Sequence, residues 1–267
     1  MDFRTIVKIE KPSFAIQPFE RLLLVGSCFA DEMGKRFEED CFRVTANPFG
    51  VMYNPASVLH TVEKTDVEAQ VVVLTLGTNH VYVEKTTGEI VDNCAKRPAQ
   101  LFDERILTVD ECLDYLSQAV ECLLQRHDTV KVIVTVSPIR YAKYGFHGSQ
   151  LSKATLLLAA DELVRKYPQT VVYFPAYEIV NDELRDYRFY ATDMLHPSAQ
   201  AVEYIWERFS DAFFAPETHY FIEEYRPIKE ALAHRPFHPE SAEYQQFMAK
   251  TQEKLVQLKE KYPEMSE

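Results

Sequence analysis

Four stretches of the chain are nearly unbroken runs of apolar residues: 22–25, 71–76, 130–136 and 170–174. Strands buried on both faces carry this pattern, because neither face needs polar side chains. Helical periodicity follows the first run at once. Phe29, Met33 and Phe37 recur at intervals of four, which predicts a helix over 29–39, just after the break at Gly26-Ser27. Further helices are predicted over 108–126, 151–166 and, beyond Pro197, 201–213. Strands alternating with helices connect through right-handed crossovers, so the expected fold is α/β, a mainly parallel sheet with helices on both faces.

Two regions depart from that alternation. Within 77–107, the runs 81–84 and 89–91 flank Thr86-Thr87-Gly88 and predict a small inserted hairpin, placed to shape a substrate entrance. Beyond residue 215 charged helix formers take over, with helices predicted over 219–233, interrupted or kinked at Pro227, and over 240–261. Phe221, Tyr225, Ile228 and Leu232 form a stripe suited to packing. The expected division is a main domain over 1–215 with a helical extension over 216–267 packed on it.

Composition narrows the function. The 267-residue chain is 46% hydrophobic and 12% aromatic, ample for a core. A net charge of −12 with no basic run excludes nucleic acid and anionic membrane surfaces as expected partners. The five cysteines are odd in number and scattered, which suits a reducing compartment rather than a disulfide framework. With no early apolar run long enough to cross a bilayer, a cytoplasmic location is expected. No cofactor is expected. His80, Asp92, His147 and Asp193 lack the short spacings of metal ligands, so no metal is expected either.

In an open parallel sheet, ligands bind at the carboxyl ends of the strands. Ser27 follows the run 22–25, Gly77-Thr78-Asn79 follows 71–76, Ser137-Pro138 follows 130–136, and Asp193-Met194-Leu195-His196 comes after 170–174. A serine at a strand-to-helix turn has an exposed hydroxyl beside backbone amides that stabilise an oxyanion; the alternative is an ordinary helix N-cap. Asp193 can orient His196 as a general base, or serve as a turn residue before a helix. Gly77 and Asn79 read as oxyanion donors or as loop residues. Cys28, at the same helix start, contributes its amide to the oxyanion set, while its thiol is a weaker rival nucleophile. Asn47, Asn54 and Arg140 lie in loops at the same edge, where they bind substrate oxygens or shape the loops.

The segment Gly26-Ser27-Cys28-Phe29-Ala30 spells the name of the GSCFA family, and the chain resembles that family along most of its length. The supporting segments are Asn47-Pro48-Phe49-Gly50, Leu74-Thr75-Leu76-Gly77-Thr78, Asn93-Cys94-Ala95-Lys96, Val136-Ser137-Pro138-Ile139-Arg140 and residues 186–198. The family is similar to the SGNH or GDSL hydrolases, which implies a flavodoxin-like three-layer α/β/α sandwich and ester chemistry. On that resemblance Ser27 matches the nucleophile, Gly77 and Asn79 the oxyanion donors, and Asp193 with His196 the Asp-x-x-His block. Gly26 and His80 depart from it, since the hydrolase patterns carry aspartate at both places.

The expected function is therefore a serine hydrolase, an esterase or deacetylase cleaving a small-molecule or carbohydrate ester, with Ser27, Asp193 and His196 catalytic and Cys28, Gly77, Asn79, Asn54 and Arg140 binding the oxyanion or substrate. The alternatives are an acyltransferase and a non-catalytic binding protein that keeps the fold.

Overall fold

The computed structural model describes residues 4–94 and 97–266. Its central sheet has five parallel strands in the order β2-β1-β3-β7-β8, formed by β1 (Arg21–Gly26), β2 (Arg43–Ala46), β3 (Val71–Leu76), β7 (Lys131–Val136) and β8 (Val171–Tyr173). Sequence order 2-1-3-4-5 is that of the flavodoxin-like doubly wound sheet. The side chains explain the layering. Leu23 and Val25 of β1 and Val72, Leu74 and Leu76 of β3 point into one apolar core, beneath α2 (Pro55–Lys64), α3 (Val109–Arg126) and α4 (Gly145–Lys166). Leu22, Leu24, Val71 and Val73 point into the other, beneath α1 (Cys28–Glu39) and α6 (Ala199–Phe213). Each buried Leu or Val removed from water contributes about 1.5–3 kcal/mol, so strands apolar on both faces are stable only when sandwiched in this way.

The predicted hairpin is one edge of a larger unit. β4 (His80–Glu84) pairs antiparallel with β5 (Ile90–Val91) on one side and with β6 (Phe102–Ile106) on the other. The sequence reading missed β6 because four of its five residues are exposed and no apolar alternation marks it. It also missed β2, whose residues are all half-buried at the sheet edge, and α2. The start of α2 is nonetheless written in the chain: Asn54 Oδ1 accepts from Ser57 N at 2.9 Å as the cap, and Pro55 opens the first turn. α4 begins at Gly145, earlier than the predicted 151. Its first turn holds two glycines of poor helix propensity, yet Phe146 stacks under Arg140 at 4.2 Å and Ser149 Oγ accepts from Tyr141 N at 3.2 Å.

Beyond β8 the chain makes the short α5 (Ala176–Glu178) and, after α6, the helices α7 (Pro216–Ala233) and α8 (Ala242–Lys261). α7 runs through Pro227 as a single element. Phe221, Tyr225 and Ile228 bury against Phe19 and Leu258 as the stripe predicted, whereas Leu232 is exposed. Lys229 Nζ donates to Asp40 Oδ1 at 2.7 Å and ties α7 to the end of α1. Among the described residues no helix is long and apolar enough to cross a membrane, and all five cysteines are free.

Candidate active site

The turn from β1 to α1 is held by a backbone that only glycine tolerates. Gly26 has φ +143°, and a Cβ there would overlap the carbonyl of Thr75. Gly26 N donates to Asn47 Oδ1 at 2.8 Å, and Ser27 N donates to Thr75 O at 3.0 Å. Ser27 is the N-cap of α1 and fully buried. Its Oγ accepts from Phe29 N at 3.3 Å and shares a hydrogen bond with Thr75 Oγ1 at 3.1 Å. The hydroxyl expected to stand exposed is thus occupied and covered. Beside it, the N–H of Cys28 opens the helix and has no intrahelical acceptor, at the positive end of the macrodipole.

Gly77 lies next to Ser27. A Cβ on Gly77 would sit 3.4 Å from Ser27 Cβ, 2.9 Å from Tyr53 O and hard against Tyr141 Oη. Its amide is already engaged, donating to Tyr53 O at 2.9 Å, and Thr78 N donates to the same carbonyl at 2.8 Å. Asn79 is buried, with Nδ2 donating to Leu107 O at 2.7 Å and Oδ1 without a partner among the described residues. Both residues sit at the expected edge. Their donors, as the structure stands, hold loops together.

Asp193 and His196, three residues apart, are in direct contact. Asp193 Oδ1 accepts from Leu195 N at 2.9 Å and His196 N at 3.0 Å, closing a tight loop with Met194 at φ 59°. Asp193 Oδ2 meets His196 Nδ1 at 2.6 Å. The backbone N–H bonds, followed by the imidazole, hold the Asp193 carboxyl down at about 2, so it is a carboxylate throughout the neutral range. Among the described residues His196 Nε2 has no protein partner, and the ring is about half exposed. Arg140 fixes this loop: its backbone N–H donates to Leu195 O at 3.0 Å and its Nη1 to Met194 O at 2.9 Å. The Arg140 guanidinium also stacks between Phe146 at 4.2 Å and Tyr190 at 5.4 Å, and it lines a cavity of about 250 Å³ with Gln150, Asn181 and Tyr187.

No hydrogen bond joins Ser27 to His196 among the described residues; the two stand at one sheet edge as separate units. Asn54 serves as the α2 cap. The Cys28 thiol meets Tyr53 Oη at 3.7 Å, and of the segment Asn93-Cys94-Ala95-Lys96, Ala95 and Lys96 lie outside the described residues. The residues considered for a metal disperse: His80 pairs with Glu104, Asp92 with His60 and Lys64, and Asp193 with His196.

Sequence reasoning missed two residues here. Lys153 is wholly buried, its Nζ donating to Gly77 O and Ser137 O at 2.7 Å each, and burial pulls its ammonium down to about 7. It laces the ends of β3 and β7 together beneath the site. Tyr141 carries the hydroxyl that presses on Gly77. Ser152, Ala154 and Thr155 around Lys153 are polar or small, so the sequence carries no signal of its burial, although a lysine is almost never fully buried unless paired.

The sequence pattern of the GSCFA family matches residues 21–68 and 59–209, and that of the GSCFA domain protein, C-terminal domain, matches 226–266. The chain belongs to the GSCFA family. Among solved structures, it is similar to an acetylxylan esterase from Geobacillus stearothermophilus at 14% identity and TM-score 0.48, covering 74% of this chain and 96% of that one. It is likewise similar to a GDSL-like lipase from Bacteroides thetaiotaomicron, at 13% identity and TM-score 0.47, covering 72% and 87%. A carbohydrate esterase of family 3 from Talaromyces cellulolyticus aligns at 11% identity and TM-score 0.45, over 77% and 99%. No curated protein matches the sequence.

Proposed function

We propose that this protein is a serine hydrolase acting on a small carboxylic ester, with Ser27 as nucleophile, His196 as general base and acid, and Asp193 as its orienting carboxylate. The observation that carries the reading is the dyad. Asp193 fixes His196 Nδ1 at 2.6 Å and leaves Nε2 without a partner, at the same sheet edge as a serine that opens a helix. In the reaction, Ser27 Oγ turns from Thr75 toward His196 Nε2, loses its proton there and bonds to the acyl carbon. The tetrahedral intermediate then expels the alcohol, which takes the proton from His196. Water, activated in turn by His196, releases the acid. An acceptor alcohol in place of water makes the same site an acyltransferase. The free cysteines suit a reducing, cytoplasmic setting.

A panel of short-chain and sugar-linked esters assayed on wild type and Ser27→Ala tests this directly. The expected result is cleavage of at least one ester by wild type and none above background by Ser27→Ala; equal rates sink the mechanism. One observation favours a second reading, a non-catalytic binding protein: Ser27 is fully buried, with its oxygen engaged by Thr75 and Phe29. On that reading the panel gives no cleavage, and an acylated ligand protects the fold against heat without being turned over.

A further inference from the structure

An ester hydrolase needs donors aimed at the oxygen that becomes negative when serine adds to the acyl carbon. Two of the donors that the chain's motifs suggest are engaged: Gly77 N–H on Tyr53 O and Asn79 Nδ2 on Leu107 O. One other donor stands free beside Ser27. Tyr141 Oη is buried with no hydrogen-bond partner among the described residues, which is costly for a hydroxyl and calls for a reason. It occupies the space a Gly77 side chain would fill, and Ser27 Cβ lies 3.4 Å from that same point.

The ring is held in place from several sides. Tyr53 meets it edge-on at 6.1 Å, Tyr144 lies roughly parallel at 6.2 Å, and Lys153 Nζ lies 5.1 Å from its centroid. Burial, with Tyr53 adding to it, raises the Tyr141 phenol well above its ordinary value, so it keeps its proton at any physiological pH. The position is therefore a fixed, protonated, unpaired donor next to the candidate nucleophile.

Resting on the hydrolase reading, we infer that Tyr141 Oη–H, together with the Cys28 amide, is the oxyanion donor of this site, and that residue 77 is glycine to make room for it. As Ser27 Oγ bonds to the acyl carbon, the carbonyl π pair moves onto oxygen and is met by these two hydrogen bonds. The tyrosine gives up no proton. When the pair returns and the alcohol leaves, the donors are unchanged.

Tyr141→Phe removes the hydroxyl and keeps the ring. Because that hydroxyl has no partner in the resting protein, thermal stability should hold or rise slightly, whereas a structural role would lower it. On an ester that wild type cleaves, kcat should fall about 10²–10³-fold with KM nearly unchanged, the magnitude of a lost oxyanion donor. An alkyl boronic acid, which forms a tetrahedral adduct on serine, should bind Tyr141→Phe more weakly by a similar factor. Wild-type kcat and boronate affinity in Tyr141→Phe overturn the inference and leave the hydrolase reading intact. Ser27→Ala is run alongside, and activity equal to wild type in that variant overturns both.

Discussion

At the scale of single residues, the site is arranged by close approaches that leave little freedom. Gly26 combines φ +143° with contact on Thr75 O, so Gly26→Ala meets both backbone strain and overlap. The expected loss is about 3 kcal/mol or more, read as a fall in the denaturant midpoint. Asp193→Asn keeps the Oδ1 acceptor that closes the loop, so it should lower the melting temperature only slightly. It should nonetheless lower kcat by about 10²–10⁴-fold, because the amide no longer enforces the right tautomer of His196. Asp193 titrates near 2, so any acid limb in the rate profile at higher pH belongs to another group. Lys153 makes a separate pH signature. Its proton is bound less tightly in the folded chain, about 7 against 10.5 ordinarily, so between those values the unfolded chain holds the extra proton and stability rises with pH. Urea titrations at pH 7 and pH 9 should show this rise in wild type and lose it in Lys153→Met.

At the scale of elements, the buried strands and the long helices were legible, whereas the edge strands β2 and β6 and the short helix α2 were not. Residues 71–76 form a strand with the bounds the pattern gives, and 29–39 a helix one residue longer, because β3 is buried along its whole length and α1 buries a regular stripe through Phe29, Met33 and Phe37. β2 and β6 lie at edges, where pairing comes from the backbone of a neighbour rather than from side-chain pattern. Asn54 illustrates a second limit. Its place in a loop at the catalytic edge suggested substrate binding, and the fold uses it to cap α2. Asn54→Ala should cost about 1 kcal/mol in stability, and a KM that stays at the wild-type value in that variant will confirm the cap as its role.

At the scale of the whole molecule, the doubly wound sheet gathers Ser27, Gly77, Ser137 and the Asp193 loop at one edge, as strand order and parallel direction require. That gathering could be read from the sequence because it depends on topology alone. What could not be read was which hydrogen bonds those residues would make once there. Ser27 faces Thr75, Gly77 faces Tyr53, and Asn79 faces Leu107. Such pairings depend on loops meeting across 20 to 50 residues of chain, with no local signal. Tyr141 and Lys153 were hidden for the same reason. Each matters only because β3 and β7 end side by side.

In the resting fold Ser27 caps a helix, and the proposed hydrolase requires it to act as a nucleophile. The most direct measurement is intact mass after exposure to a fluorophosphonate, with the modified peptide sequenced. The expected result is one adduct on Ser27 in the wild type, none in Ser27→Ala, and slowed labelling in Asp193→Asn. A folded wild type that stays unlabelled, or an adduct carried by any other residue, contradicts it.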